Sequence, residues 1–162
     1  MLGKSYETQV CSIARALELV GERWSLLIVR EALFAGVSRF SDLQHNLGIA
    51  PNILATRLEA FVDAGIMERT PDDARHHHRA YVLTAKGRDL MPALIALSDW
   101  GDRWATPGEP PILYTHTTCG GTVAHQLTCA HCGPVDTSEI HAQIGPGMPT
   151  EHLATRRPGA GG

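Results

Sequence analysis

Residues 39 to 87 carry two helix-like segments and a charged hairpin, and this order constrains the fold more than any other part of the chain. Apolar residues recur at spacings of three and four from 40 to 47 and again from 54 to 62, with Gly48 between the two runs. After Gly65, which suits a left-handed helix C-cap, the strand-like runs IMERT and RAYVL flank PDDARHHH. The pattern predicts two helices that share one core across a tight turn, followed by a β-hairpin.

The ends of these predicted helices carry residues with known terminal preferences. Ser41, followed by an acid and by Gln44, suits the N-cap of the first helix. Pro51 suits the first turn of the second helix, where a missing N–H leaves no hydrogen bond unmade. The second helix is therefore expected to begin near Ala50.

The outer side of the second helix is polar in its first half. It carries Asn52 and Thr56, with Arg57 at its flank, and a small Ala60 that would allow close approach. Amide, hydroxyl and guanidinium groups are those that contact base edges and phosphates. The sequence therefore predicts a winged helix-turn-helix, mainly α with a small β-hairpin wing (α+β), that binds double-stranded DNA. The candidate DNA contacts are Arg39, Ser41, Pro51, Asn52, Thr56, Arg57, Arg75, His76, His77, His78 and Arg79.

Two other interpretations of these residues stay open. Amphipathic helix pairs joined at a glycine occur in many helical domains that bind no nucleic acid. The hairpin tip could be a solvated surface loop, or the run His76, His77 and His78 could bind a metal ion. Neighbouring residues of a strand point to opposite faces, which disfavours a shared ion.

Several ordered motifs resemble the HxlR-type winged-helix transcriptional regulators, relatives of the MarR group. The matching motifs are Cys11 with ARALELVGERWSLLIVREAL (14 to 33), RFSDL (39 to 43), GIAPNILATRLEAFVDAGIMER (48 to 69), YVLTAKGRDL (81 to 90) and LSDWGDRW (97 to 104). The resemblance implies a homodimeric DNA-binding repressor or activator that dimerises through its terminal helices. The three histidines depart from the arginines or lysines usual at the wing tip, so phosphate contacts there are expected to depend on pH.

Composition and charge agree with a DNA-binding domain plus an appendage. The chain has 162 residues, 43% of them hydrophobic, and a net charge of -3. Between residues 69 and 88, five basic residues stand against two acidic ones, a local balance of +3. No apolar run approaches ~20 residues, and the first ten residues lack the pattern of a signal peptide, so we expect a cytoplasmic protein with no membrane partner.

The helices outside the helix-turn-helix are expected to form a scaffold. Ile13, Leu17 and Val20 form one apolar face of a predicted core helix. The helix after Thr84, its expected N-cap, contains Pro92 in its interior, which predicts a kink. Its apolar stripe is the predicted dimer seam, with folding onto its own domain as the alternative. That stripe consists of Leu90, Leu94, Leu97, Trp100 and Trp104.

The C-terminal third contains paired metal-ligand residues. After the linker 106 to 111, His116 precedes Cys119 by three positions, Cys129 precedes Cys132 by the same spacing, and a glycine follows each pair. Two such turns can hold one structural zinc ion, because the glycine gives the backbone the freedom the turn needs. TVAHQL is expected to form much of a β-hairpin between the pairs. The alternative is a hairpin with metal-free thiols; a disulfide is disfavoured in a reducing compartment.

The predicted organisation is thus a winged helix with terminal dimerisation helices at 1 to 105, a linker, a Cys/His zinc-ribbon-like hairpin at 112 to 145 and a flexible tail at 146 to 162. His125, His131 and His141 are spare metal donors. No HExxH, phosphate-binding glycine loop or nucleophile elbow occurs, so no enzymatic activity is expected.

Cys11 lies at the start of the first predicted helix, where the helix dipole favours a thiolate. The resemblance includes family members in which an N-terminal cysteine senses oxidants or electrophiles. A buried structural cysteine is the alternative. For the whole chain, the alternative to a DNA-binding regulator is a module that senses a metal or a small-molecule effector through its C-terminal extension.

Overall fold

We describe a computed structural model of the chain that covers Tyr6, residues 9 to 71 and residues 79 to 153. The elements in chain order are α1 (Ser12–Val20), α2 (Ser25–Phe34), α3 (Phe40–Leu47), α4 (Pro51–Asp63), β1 (Met67–Pro71), β2 (Arg79–Leu83), α5 (Ala85–Arg88), α6 (Met91–Trp104), β3 (Thr128–Cys129), β4 (Gly133–Pro134), a 3-10 turn (Thr137–Glu139) and α7 (Thr150–Leu153). No helix in this part of the chain has both the length and the hydropathy needed to cross a bilayer.

Internal contacts divide the chain into two compact units. The winged-helix unit spans residues 19 to 125, and the terminal unit combines residues 1 to 18 with 126 to 162, as far as these are described. The division differs from the predicted domains at both ends of the winged helix, since residues 106 to 125 group with it and residues 1 to 18 do not. The zinc-ribbon-like character of residues 112 to 145 stays a prediction.

The helix-turn-helix and the wing form as the sequence pattern predicts. Helix α4 begins with Pro51 in its first turn and ends in a Schellman motif, with Gly65 at φ 66° and the Ile66 amide donating to the Phe61 carbonyl at 2.8 Å. Strands β1 and β2 pair antiparallel from Met67–Leu83 to Pro71–Arg79. A single bridge between Arg39 and Ala80 adds to this sheet. These features confirm the mainly helical winged-helix fold.

The core of the winged-helix unit consists of apolar side chains from the end of α1, from α2, α3, α4 and α6, and from the base of the wing. Ile28 of α2, Leu43 of α3 and Leu54 of α4 are fully buried, together with Ile66 and Met67 at the base of the wing. Burial of each such side chain stabilises the fold by roughly 1.5–3 kcal/mol. The shared core therefore fixes the orientation of α4 against the wing.

The connection from β2 to α6 depends on a cap and on one glycine. Thr84 is the N-cap of α5, as predicted, and accepts the Gly87 amide at 3.3 Å while its hydroxyl donates to the Gly65 carbonyl at 2.7 Å. A Cβ on Gly87 would lie 2.3 Å from the Ile66 carbonyl oxygen and 2.7 Å from Leu83 Cδ2. Only glycine allows this close approach of α5 to the end of α4.

Three predictions about helix ends and faces are wrong. Arg39, not Ser41, is the N-cap of α3, so Ser41 lies inside the first turn. Pro92 does not kink a helix, because the predicted single helix is interrupted after α5. The proline therefore lies in the first turn of α6, where a backbone N–H would have no partner within the helix. Ile13 and Leu17 do not enter a core: they are 70% and 43% exposed.

The predicted TVAHQL hairpin is also absent from the described structure, which instead has two short turns around the cysteines. We call residues 115 to 122 the first cysteine turn and residues 128 to 134 the second cysteine turn. Thr115 bridges Thr122 across the first, and β3 pairs with β4 across the second. Residues 123 to 127 have no strand pairing and connect the two turns.

Candidate nucleic-acid interface

The outer surface of α4 is uncharged in its first half and acidic in its second. Asn52, Ile53 and Thr56 are exposed in the first half, whereas Glu59 and Asp63 are exposed toward the C-terminus. The Thr56 hydroxyl donates to the Asn52 carbonyl at 2.9 Å, and this hydrogen bond restrains the exposed side chain. Since carboxylates repel phosphates, only the first half of α4 suits close approach to DNA.

Arg57 does not lie freely on this surface. Its side chain is 25% exposed, and its Nη2 lies 3.6 Å from Oε2 of Glu22 in the turn between α1 and α2. The pair holds the guanidinium beside the turn between α1 and α2. An Arg57 that contacts DNA must share or exchange this partner.

The remaining predicted contacts of the helix pair lie around the helix starts. Arg39 is exposed at the N-cap of α3, and Ser41 is exposed with its hydroxyl donating to the Asp42 carboxylate at 3.1 Å. Pro51 is exposed at the start of α4. The structure thus presents these three residues together with Asn52 and Thr56 at the surface of the helix pair.

Two of the basic residues that gave residues 69 to 88 their positive balance have structural roles. Lys86 Nζ donates to the Ala64 carbonyl at 2.7 Å, which caps the C-terminus of α4, and Arg88 Nη1 donates to the Leu83 carbonyl at 2.5 Å. The Arg69 guanidinium lies 5.8 Å from the centre of the Tyr81 ring. Arg75, His76, His77 and His78 lie outside the described residues, and Arg79 is placed by its backbone in β2.

Sequence reasoning missed two residues of this interface. Ile53 is 40% exposed between Asn52 and Thr56, and an exposed aliphatic group there can pack on a thymine methyl. The only signal was its place one residue before the buried Leu54. Glu22 lies 35 positions before Arg57 in the chain, so no local pattern could have paired them.

The family model for the HxlR-like helix-turn-helix matches residues 19 to 109, more than half of the chain. The chain belongs to this family. An HTH-type transcriptional regulator of Mycobacterium tuberculosis, Rv3095, is 46% identical over 139 residues, which are 85% of this chain and 87% of that protein.

Two solved structures agree with this assignment. The crystal structure of PA1607, described as a transcription factor, superposes with a TM-score of 0.75. The two chains are 35% identical, and the match covers 85% of this chain and 97% of PA1607. The reduced form of the regulator YodB from Bacillus subtilis superposes at 0.52 and 29% identity, over 62% of this chain and 100% of its own. Both similarities extend over more than half of this chain.

Within the family region, the predicted dimer seam on α6 has two parts. Leu94 is buried and Leu90 is half-buried against the core of the same chain, so both stabilise the monomer fold. Leu97, Trp100 and Trp104 are 50%, 59% and 70% exposed. The second part is an apolar surface of which half or more is exposed to solvent.

Cys11 lies outside the family match and is exposed immediately before α1, where its carbonyl accepts the Arg15 amide at 3.1 Å. The structure contradicts the alternative of a buried cysteine. In the terminal unit it lines an open cavity of about 490 Å³ with Arg15 and Met148. A small reagent can therefore reach the thiol from the cavity.

The two cysteine turns have similar local geometry. In the first, the Gly120 amide donates to the His116 carbonyl at 2.8 Å, and His116 Nδ1 lies 3.2 Å from Cys119 Sγ. Gly120 and Gly133, the glycines that follow each pair, have φ of 70° and 85°. The predicted need for glycine at these positions is confirmed.

In the second cysteine turn, backbone amides point at a sulfur. The His131 N–H, followed by the Cys132 N–H and thiol, lowers the pKa of Cys129 below its ordinary value, because these donors stabilise the thiolate. Among the described residues no three or more His, Cys, Asp or Glu side chains are grouped as a metal site. Each turn brings together one pair of the predicted ligands.

Proposed function

We propose that this chain is a homodimeric, sequence-specific transcriptional regulator that inserts α4 into the major groove of duplex DNA. The observation that carries the proposal is the exposed, uncharged first half of α4, which a shared core holds against the wing. The regulators named above in the same family support it. In helix-turn-helix proteins the N-terminal residues of the second helix contact base edges.

The side chains divide into base contacts and phosphate contacts. Asn52 offers the paired donor and acceptor that recognise adenine, and Ile53 with the Thr56 methyl suits thymine. Arg39, Ser41 and the amides at the start of α4 suit phosphates. On sequence grounds alone, Arg75, His76, His77, His78 and Arg79 add phosphate contacts from the wing.

The exposed part of α6 is the proposed homodimer surface. Leu97, Trp100 and Trp104 expose apolar area that a second copy would cover, since a monomer gains nothing from two tryptophans in water. A two-fold dimer requires two DNA half-sites about one helical turn apart. Sedimentation equilibrium should give a dimer for the wild type and a shift to monomer for Trp100→Glu.

A fluorescence-anisotropy titration tests the DNA interaction. With duplexes from its own upstream region, we expect affinity to fall steeply with salt, and Asn52→Ala to weaken specific binding by about tenfold while leaving nonspecific binding unchanged. Glu59→Gln is the matched control, because it changes an exposed side chain in the acidic half of the same helix. Equal, weak affinity for every duplex in wild type and Asn52→Ala would overturn the proposal.

The ion pair of Arg57 gives a second, more specific variant. Arg57→Ala should weaken operator binding, whereas Glu22→Gln removes the competing carboxylate and should strengthen it by a few fold. Weaker operator binding in Arg57→Ala together with stronger binding in Glu22→Gln would assign Arg57 to the DNA interface. Losses in both variants would mean that the pair acts only by positioning α4.

We also propose that His116, Cys119, Cys129 and Cys132 hold one structural zinc ion. The local geometry of each cysteine turn favours it: two residues lie between the ligands of each pair, a left-handed glycine follows each pair, and amides are directed at Cys129. Elemental analysis of protein purified without a His-tag should find one zinc per chain. Less than about half an equivalent, with four reactive thiols, would leave the turns metal-free.

Cys11 is the proposed redox sensor. Its exposure and the adjoining cavity favour reaction with a small oxidant or electrophile, and YodB, a relative for which a reduced form has been solved, supports the idea. Diamide should lower operator affinity of the wild type and leave Cys11→Ser unaffected. The same loss of operator affinity in both proteins would mean that diamide acts on the other cysteines and not on Cys11.

A further inference from the structure

The winged-helix unit contains a second cavity, separate from the one at Cys11. It has a volume of about 250 Å³ and lies where the end of α2 and the following loop meet β2 and the start of α6. Its apolar lining includes Leu33, Val37, Leu83 and Met91. The volume is below that of most drug-sized sites, so it suits a compact ligand of one or two rings.

One cationic group lines this otherwise apolar space. Arg88 belongs to the lining, and its Nη1 donates to the Leu83 carbonyl at 2.5 Å, which anchors the guanidinium beside the cavity. The ion pairs found among the described residues do not include Arg88. The rest of the guanidinium fork is therefore available to an anion, and two parallel N–H groups fit a carboxylate.

The lining also favours an aromatic body over an aliphatic one. Tyr81 lies in the wall, and Met91, 37% exposed at the start of α6, provides a flexible thioether that adapts to a ring. The Tyr81 amide donates to the Ser38 carbonyl at 2.8 Å, so these two main-chain groups are already satisfied and do not require a polar ligand. Apart from Arg88, the chemistry is that of an apolar pocket.

We propose that this cavity binds a small aromatic carboxylate, with its rings among Leu33, Val37 and Met91 and its carboxylate on Arg88. This inference rests on the proposed function for its consequence, because the ligand would then act as an effector. The cavity is lined by residues of β2, which is a strand of the wing, and by Met91 of α6, the helix that carries the proposed dimer surface. A ligand that binds one arrangement of the wing and α6 more tightly than another shifts the protein toward that arrangement. DNA affinity then changes by at most the ratio of the ligand's affinities for the two arrangements.

Isothermal titration with 2-naphthoate, in the absence of DNA, tests the site directly. We expect one ligand per chain, and 2-naphthamide, the neutral analogue, should bind at least about tenfold more weakly. Arg88→Gln should remove the preference for the acid while retaining a donor for the Leu83 carbonyl. Arg103→Gln, which removes an exposed charge at the end of α6, is the matched control and should bind like the wild type.

Filling the cavity provides a variant that does not depend on charge. Val37→Trp should abolish binding of both compounds, and circular dichroism with DNA binding in the absence of ligand will show that this variant is folded. Equal binding of acid and amide, binding unchanged in Arg88→Gln, or binding retained in Val37→Trp would each overturn the site.

Operator binding measured with and without saturating 2-naphthoate separates the two proposals. A change of at least about threefold, absent in Arg88→Gln, is expected for an effector. Unchanged operator affinity would overturn the effector role. Failure of the free protein to bind any operator would overturn the proposed function alone, because the titration without DNA is independent of it.

Discussion

The helices and wing of residues 19 to 104 are stabilised by a buried apolar core, whereas residues 105 to 150 have none. Phe61, Leu54 and Leu58 of α4 are essentially inaccessible to solvent. Between residues 105 and 150 no residue is buried, and the regular structure up to residue 149 consists of one pair of two-residue strands, one isolated bridge and one 3-10 turn. The first region can fold by removing apolar surface from water; the second needs another source of free energy.

Contacts with the winged helix supply part of that free energy for residues up to 125. The rings of Tyr114 and Phe34 lie 4.7 Å apart, and the His125 amide donates to the Asp99 carboxylate of α6 at 2.7 Å. These contacts explain why residues 106 to 125 group with the winged-helix unit. They do not order the backbone of the second cysteine turn, which belongs to the terminal unit.

Metal removal should therefore have the largest effect, and only on one of the two regions. If zinc is bound as proposed, it contributes on the order of 10 kcal/mol to the order of the cysteine turns. Chelation should remove hydrogen-exchange protection from residues 112 to 145, while the amides of α2 and α4 stay protected and operator affinity changes by less than about twofold. Hydrogen exchange with mass spectrometry resolves the two regions in one experiment.

Cys132→Ser gives the genetic counterpart of chelation, and Cys11→Ser is its matched control because it also removes one thiol. Loss of protection in the first variant alone would sharpen the comparison. If the turns keep their protection without metal, local hydrogen bonds are sufficient to order them, and the contrast between the regions disappears.

The next largest effect is expected at Gly87, where the surrounding atoms leave no space for a side chain. Gly87→Ala places a methyl group against the Ile66 carbonyl oxygen and Leu83. We expect a loss of about 3 kcal/mol in the free energy of unfolding, since backbone atoms must move. Urea denaturation measures it.

Gly101→Ala is the control for Gly87→Ala, because no atom lies within 4 Å of the added Cβ and the residue is inside α6. It should stabilise the protein by roughly 0.5–1 kcal/mol through helix propensity. Equal effects at the two glycines would contradict the close packing of α5 on the end of α4.

The sequence predicted the parts of this fold that depend on local periodicity. Helices α3 and α4, the glycine after α4 and the Thr84 cap follow from residues close in the chain, and the structure confirms them. The prediction of Ser41 as the N-cap of α3 was wrong. Arg39, whose side chain has no capping preference, occupies that position because its strand bridge to Ala80 fixes it at the start of the helix. That bridge joins residues 41 positions apart, which a local pattern cannot reveal.

The candidate site was predicted by residue type but not by pairing. Asn52 and Thr56 are exposed as expected from helical spacing, whereas the contact of Arg57 with Glu22 depends on how α4 packs beside the turn before α2. The stripe on α6 looked continuous in sequence. Leu94 turns out to be a core residue because α6 packs on α2, so only its C-terminal half remains as a surface.

The smallest predicted effect concerns a polar contact inside the core region. Glu31 of α2 accepts a hydrogen bond from Arg30 at 2.6 Å and another from Asn46 of α3 at 3.0 Å, and its side chain is 12% exposed. Burial raises the pKa of Glu31, but the hydrogen bonds from Arg30 and Asn46 and the charge of Arg30 outweigh it, so the pKa lies below its ordinary value of 4.5. The carboxylate thus ties the first helix of the helix-turn-helix to α2.

A lowered pKa in the folded state means that Glu31 stabilises the protein above pH 4.5 and that this contribution is lost as the pH falls through the folded-state value. Glu31→Gln should cost about 1 kcal/mol at pH 7, and the difference from the wild type should shrink below pH 4.5. Urea denaturation between pH 7 and pH 3 measures it, with Glu59→Gln as a control that replaces an exposed glutamate of α4. A difference for Glu31→Gln that is independent of pH would show that the loss comes from packing and not from the charge.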